Sequence, residues 1–318
     1  MRKKLVRRDM NFGKESCAGS QILSNTNSRP QEFAGLSFTV ALTLALIRIN
    51  SFQSMPKSKT NPAELVSKEE QLRTYYETLH RAWGPQHWWP ARTRFEVIVG
   101  AYLTQNTSWT NVEIAMRQLR EAGVLTLAGV RRTPLPTLET LIRSSGYFRQ
   151  KAARLKIFVA FVDDRYGGSL SRMFTQPTEN LRQELLGLNG IGPETADSIL
   201  LYAGQHPVFV VDAYTRRILE RHEIISANAS YEEIRTLFEN ALGVSPESTG
   251  SRLVSIVAAK SRPAHSPSAM SLAKRSTVAQ IYNDMHGLIV SLGKSYCLKS
   301  KPRCKQCPLR QFLPKAVE

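Results

Sequence analysis

One segment constrains this chain more than any other: Leu185–Arg217, reading LLGLNGIGPETADSILLYAGQHPVFVVDAYTRR. Its centre, Leu188-Asn189-Gly190-Ile191-Gly192, predicts a tight hairpin between two helices. Glycines at 190 and 192 let the backbone turn sharply and approach a ligand closely. Pro193 then falls at the first position of a helix, where proline is best tolerated. Amides at that helix start form an anion site suited to a DNA phosphate, a contact that positions a duplex without reading its sequence. The same residues also fit an ordinary helix–turn–helix corner held by Ile191.

Twenty residues past Gly192, Asp212 ends a short extended piece, Val208–Val211, and opens another helix. Aspartate is a good N-cap, which is one sufficient reason for its presence. The second is chemical. Breaking an N-glycosidic bond builds positive charge on the sugar. A fixed carboxylate at a helix start stabilises that charge and can orient an attacking water. The two roles are compatible in one side chain.

Around this segment the pattern is helical almost throughout. Ser67 with Glu70 and Thr93 with Glu96 read as capping boxes, each followed by apolar residues at helical spacing. A third helix is expected from Ser108 to Glu121, burying Val112, Ala115, Met116 and Leu119. Shorter ones are expected at Leu138–Ser144 and Gln150–Tyr166, with Thr178 capping the helix that ends at Gly187. Ser230 with Glu233 starts another, and Thr277–Leu292 the last. The extended piece is too brief to build a sheet, so the fold class is all-α. Residues 244–276, rich in Ser, Ala, Pro and basic residues, read as a loop or insertion. The domain reading is a non-core extension over 1–60, a core over 61–293 and a cysteine-containing loop over 294–318.

The 43 basic and 26 acidic residues give a formal net charge of +17, a footprint for a polyanion. Nucleic acid comes first, an anionic membrane surface second. The apolar run Leu36–Ile49 is too short and interrupted for a membrane span, which needs about 20 residues. A signal peptide is conceivable after the basic start. The long polar stretch between, and the lack of a clean small-residue cleavage site, favour a non-core extension, with Met55 able to open a shorter chain.

Of the four cysteines, Cys297, Cys304 and Cys307 lie within eleven residues. That clustering reads as a metal site in a reducing compartment rather than a disulfide framework. A second block, His87-Trp88-Trp89-Pro90 followed by Leu103-Thr104-Gln105-Asn106-Thr107, places two indoles ahead of a polar turn. Indole faces stack well on flat cationic rings. Core packing accounts for such tryptophans equally well.

The hairpin, the VVDAYTRR stretch and the cysteine tail together resemble the helix-hairpin-helix (HhH-GPD) DNA glycosylase superfamily, in its endonuclease III branch, over about residues 67–242 and 277–310. The WWP and LTQNT blocks resemble its 3-methyladenine glycosylases. The resemblance implies two helical halves flanking a DNA-binding cleft and Asp212 as the essential carboxylate. It also implies Trp88, Trp89 and Glu194 at the base pocket, Gln105 filling the gap left by the extruded base beside Asn106, and the hairpin residues Asn189, Gly190, Ile191 and Gly192 on DNA.

Bifunctional members carry a lysine where this chain has Glu194, and no lysine lies between Lys156 and Lys260. That departure favours hydrolysis without Schiff-base strand cleavage. The tail resembles a 4Fe-4S loop whose fourth cysteine would fall at Leu313. A three-cysteine cluster, a zinc site with another ligand and a metal-free loop remain open. The expected function is a base-excision glycosylase for a damaged base, an alkylated purine first. It would act as a monomer on double-stranded DNA, without a membrane, in the cytoplasm at the nucleoid. A bifunctional glycosylase/lyase on oxidised pyrimidines, a mismatch glycosylase and a non-catalytic DNA-binding module are the alternatives.

Overall fold

Five of the longer helices begin on a hydroxyl side chain that the sequence supplies, whereas the long helix Phe148–Tyr166 starts after Tyr147 without one. Ser67, Thr93, Ser108, Ser230 and Ser276 each accept a hydrogen bond from the backbone N–H three residues on. They open α1 (Lys68–Trp83), α2 (Arg94–Thr104), α3 (Trp109–Glu121), and two later helices. Between them run α4 (Leu127–Arg132), α5 (Leu135–Leu141), α6 (Phe148–Tyr166), α7 (Leu170–Met173) and α8 (Thr178–Leu186). Then come α9 (Pro193–Ser198), continued by a π-helical turn over Ile199–Gly204, α10 (Ala213–Arg221), α11 (Tyr231–Leu242) and α12 (Thr277–Ser295). A computed structural model describes residues 67–243 and 265–314 of the chain. Among these residues there is no strand, so the all-α expectation holds. The expected extension over 1–60 and most of the expected insertion lie outside the described residues.

Local details differ from expectation for identifiable reasons. Thr178 is not an N-cap; Pro177 precedes the helix, and the Thr178 hydroxyl is 2.9 Å from His206 Nδ1 instead. The helix expected at Leu138–Ser144 starts earlier, beside Pro134, and yields to a 3₁₀ turn over Arg143–Ser145. Met116 is only partly buried.

Two helical groups form. In one, α2 packs on α3, α6, α9 and the π turn; in the other, α1 packs on α11 and α12, and α10 on α12. They meet where the π turn touches α12. The hairpin is held from beneath by Arg182 of α8, whose guanidinium pairs with Asp197 of α9 at 2.7 Å and with Glu232 at 2.6 Å. Arg182 and Asp197 are both buried, and Tyr231 adds a hydrogen bond to the same carboxylate at 2.8 Å.

Val208–Val211 is buried and belongs to no helix or sheet. A buried backbone must still find partners, and here side chains supply them. Phe209 N–H donates to Glu239 Oε1 at 3.0 Å and Val211 N–H to the Tyr231 hydroxyl at 3.3 Å, while the Phe209 ring stacks on Phe238 at 4.0 Å. This anchored strut delivers Asp212 to the junction between the two groups.

The stretch 265–276 is more than a surface loop. Met270 and Ser271 are buried, Met270 N–H donates to the Ala91 carbonyl at 3.1 Å, and Ser268 Oγ donates to that of Trp89 at 3.3 Å. It closes over the segment carrying both tryptophans.

Candidate active site

Asp212 caps α10 with one oxygen and keeps the other. Its Oδ1 accepts the Thr215 backbone N–H at 2.8 Å and the Thr215 hydroxyl at 2.9 Å. Oδ2 faces His286 of α12, whose Nε2 is 3.7 Å away. That is beyond hydrogen-bond reach, so Oδ2 is directed without being consumed. On the far side of the imidazole, Nδ1 is 2.6 Å from the Tyr202 hydroxyl on the π turn. Burial lowers the pKa of His286 against the opposing pull of Asp212, and burial raises that of Tyr202 well above its ordinary value.

Glu194, at the second position of α9, is the hairpin side chain that senses Asp212. Its side chain is exposed, with protein packed near the carboxyl. That desolvation, with the Asp212 charge, raises its pKa to about 7. Gln105, just past α2, donates to the Gly190 carbonyl and to Thr195 Oγ1, each at 2.9 Å, and its own carbonyl accepts from Arg154 at 3.3 Å. It therefore lies along the hairpin and does not project freely. Asn106, Asn189 and Gly192 are exposed, and Ile191 is buried as the hairpin's anchor. Gly190 adopts a φ of 84°, the left-handed conformation that its sequence position implied.

Both expected base-pocket indoles are buried and covered. Trp89 meets Trp109 edge-on and the Tyr202 ring at an angle, each with centroids 5.3 Å apart. Its ring also lies so near Gly100 of α2 that a Cβ there would come within 3.2 Å. Trp88 meets the His265 ring at 5.1 Å, and the Lys294 ammonium lies 5.6 Å from its ring centre. Lys294 reaches solvent, but partial burial lowers its pKa, opposed by Glu113 and Asp212. Tyr202, His286, His265 and Lys294 have no motif in the sequence; only the packing of α12 and the 265–276 stretch brings them here.

Cys297, Cys304 and Cys307 line one pocket, and Leu313 forms part of its wall. His222, from the end of α10, comes beside the thiols, which its place in the sequence does not suggest. Its Nδ1, however, is 2.7 Å from the Tyr75 hydroxyl, and burial pushes its pKa down to about 4 against a hydrogen bond to the Phe312 backbone. Arg221 donates to Cys297 Sγ at 3.1 Å. Among the described residues, no three His, Cys, Asp or Glu side chains are disposed to hold a metal ion. This donor set does not fit a cluster that needs four thiolates.

Residues 99–243 match the HhH-GPD superfamily base excision DNA repair protein family. The chain is 38% identical over 247 residues to MJ1434 of Methanocaldococcus jannaschii, whose name ascribes it a DNA repair glycosylase role; the match covers 77% of this chain and 97% of that one. Among solved structures, a 3-methyladenine DNA glycosylase of H. pylori bound to 1,N6-ethenoadenine is 28% identical, with a TM-score of 0.54, covering 72% of this chain and 97% of the other. Endonuclease III trapped on DNA as a covalent intermediate shares the fold at a TM-score of 0.58 and 21% identity, covering 77% and 95%. With the hairpin, the strut and Asp212 in place, the near-complete match to MJ1434 is decisive: this chain belongs to the HhH-GPD superfamily of base excision DNA repair proteins.

Proposed function

We propose that the protein is a monofunctional DNA glycosylase that hydrolyses the N-glycosidic bond of an alkylated purine flipped out of duplex DNA. One observation carries this reading: Asp212 presents a carboxylate oxygen without a hydrogen bond at the junction of the two helical groups, and the hairpin residue within its electrostatic reach, Glu194, carries a carboxyl and no amine. As the glycosidic bond breaks, its electron pair leaves with the base, and the Asp212 carboxylate stabilises the positive charge left on the sugar. A water adds to C1′ and gives its proton to Asp212. Glu194, near 7, is partly protonated at neutral pH and can supply the proton that a neutral departing purine requires.

Similarity to the H. pylori enzyme bound to 1,N6-ethenoadenine supports a purine, as does the tandem of Trp88 and Trp89. For a base to stack on Trp88, His265 or Lys294 must give way. The hairpin loop and the exposed Lys299, Lys301, Arg303 and Arg310 supply cations and amides for DNA phosphates.

A lyase reading keeps one specific support: Lys294 is an amine brought within the electrostatic reach of Asp212. The two are separated by incubating the protein with duplexes carrying a single 3-methyladenine, 1,N6-ethenoadenine, thymine glycol or G·T mismatch, then adding borohydride. Base release from the first two, with intact abasic strands and no trapped adduct, is the expected result. A trapped adduct lost in Lys294→Ala would establish the lyase, and release from the last two alone would displace the purine.

A further inference from the structure

Asp212, His286 and Tyr202 come from three separate elements and form one line. Tyr202 is 1% exposed and His286 4%, so no bulk solvent competes for the hydrogen bond between them. The imidazole is neutral, because burial depresses its protonation. A neutral imidazole carries one proton, and each arrangement has a different consequence. With the proton on Nδ1, the Nε2 lone pair would face the Oδ2 carboxylate oxygen, two concentrations of negative charge in a dry site. With the proton on Nε2, the N–H dipole points at the carboxylate and Nδ1 accepts from the Tyr202 hydroxyl at 2.6 Å. The second arrangement makes the Tyr202 hydrogen bond and turns the N–H, without a full hydrogen bond, toward the carboxylate. The Trp88 indole N–H lies near the same hydroxyl, short of full hydrogen-bond geometry, so the line extends toward the proposed base pocket.

We infer that His286 is a positioning residue for base excision, held by Tyr202 as the Nε2–H tautomer so that its N–H fixes the free oxygen of Asp212 toward the reacting sugar. This rests on Asp212 being the catalytic carboxylate. The 3.7 Å separation leaves Oδ2 short of a hydrogen bond. A full hydrogen bond would occupy the lone pairs that the oxocarbenium-like sugar and the water need, whereas no donor at all would leave the carboxylate free to turn about its own side chain. Thr215 fixes one oxygen and His286 directs the other.

The test has two arms on the full chain. In ¹⁵N-histidine spectra the His286 signal should show Nδ1 unprotonated and Nε2 protonated at neutral pH. Tyr202→Phe, which preserves volume, should weaken that preference. In single-turnover excision from a duplex carrying 1,N6-ethenoadenine, His286→Phe should slow base release by about tenfold or more with DNA affinity unchanged. His286→Gln, whose amide N–H reaches toward the Nε2 position, should recover most of the rate. An Nδ1–H tautomer in the wild type would overturn the inference whatever the rates. So would a wild-type rate in His286→Phe alongside an inactive Asp212→Asn. If Asp212→Asn itself stayed active, the fault would lie in the catalytic assignment beneath it. Should His286→Phe fail to fold, the tautomer spectra of the wild type and Tyr202→Phe and the His286→Gln rate still decide.

Discussion

Asp212 and Thr215 hold one another in a closed pair: Thr215 donates both its backbone N–H and its hydroxyl to Oδ1, and its hydroxyl oxygen accepts the Asp212 N–H at 3.4 Å. The cap and the proposed catalyst are therefore separable, because they use different oxygens. Asp212→Asn keeps an acceptor for Thr215 and should unfold at nearly the wild-type denaturant concentration. Its base release should fall by on the order of 100-fold or more, through loss of charge stabilisation. Thr215→Val keeps the backbone N–H donated to Oδ1 but loses both hydroxyl contacts, and should cost about 1 kcal/mol of stability first. Denaturant titration and single-turnover kinetics on both variants check this. Equal kinetic losses in the two would show that Asp212 acts only as a cap.

Glu194 makes stability depend on pH in a defined direction. Its pKa is raised from the ordinary 4.5 to about 7 by its crowded surroundings and by Asp212. A group raised on folding favours the native state while protonated. Its contribution is thus full below about 4.5 and is lost as pH rises through 7. Glu194→Gln cannot ionise, so its melting temperature should exceed that of the wild type at pH 8 and match it near the lower limit. A constant offset at both pH values would refute the assignment.

The buried Arg182–Asp197 pair supports the hairpin, and breaking it from one side should be costly. Arg182→Met leaves a carboxylate that is fully out of solvent and, among the described residues, keeps the Tyr231 hydroxyl as donor with the Arg235 charge acting on it. The expected loss is about 3–5 kcal/mol, as for other half-removed buried pairs. Arg182→Met with Asp197→Leu should lose less than Arg182→Met alone, since no orphan charge remains. Chemical denaturation of the three proteins measures it.

The stretch 265–276 should behave as structure. Met270 is buried beneath the tryptophan segment, so Met270→Ala should cost about 2 kcal/mol or more through the cavity it leaves. Tryptophan emission should change with it, because the same stretch places His265 against Trp88. Wild-type stability and emission in that variant would return the stretch to the status of a dispensable loop.

The cysteine loop is held by protein contacts. Arg217 Nε donates to the Cys297 carbonyl at 2.8 Å, Arg221 Nη1 to that of Leu298 at 2.6 Å, Leu309 is buried, and the Phe312 ring packs on Tyr75 at 5.1 Å. Chelator treatment should accordingly leave the melting temperature unchanged within error, while Arg217→Ala should lower it. Elemental analysis before and after chelation completes the test. Stoichiometric iron whose removal melts the loop would show that three thiolates suffice.

What the sequence determined by itself is local. A helix start depends on a side chain and an amide three residues apart, so Ser67, Thr93, Ser108 and Ser230 marked their helices before any packing was known. The hairpin needed a left-handed glycine and a proline tolerant of a missing N–H, and Gly190 and Pro193 sit where those demands fall. Asp212 was legible because an extended run ending in a capping aspartate is a short-range pattern. Thr178 shows the limit of such reasoning, since its hydroxyl was claimed by His206, a residue 28 positions away. Tertiary structure alone decided the rest. Tyr202 and His286 are 84 positions apart, and His222 reaches the cysteine pocket from the end of another helix. Lys294 lies over Trp88 because α12 carries it there. Such contacts are set by which helix faces bury against each other, and that burial belongs to the whole core. No window of neighbouring residues contains it.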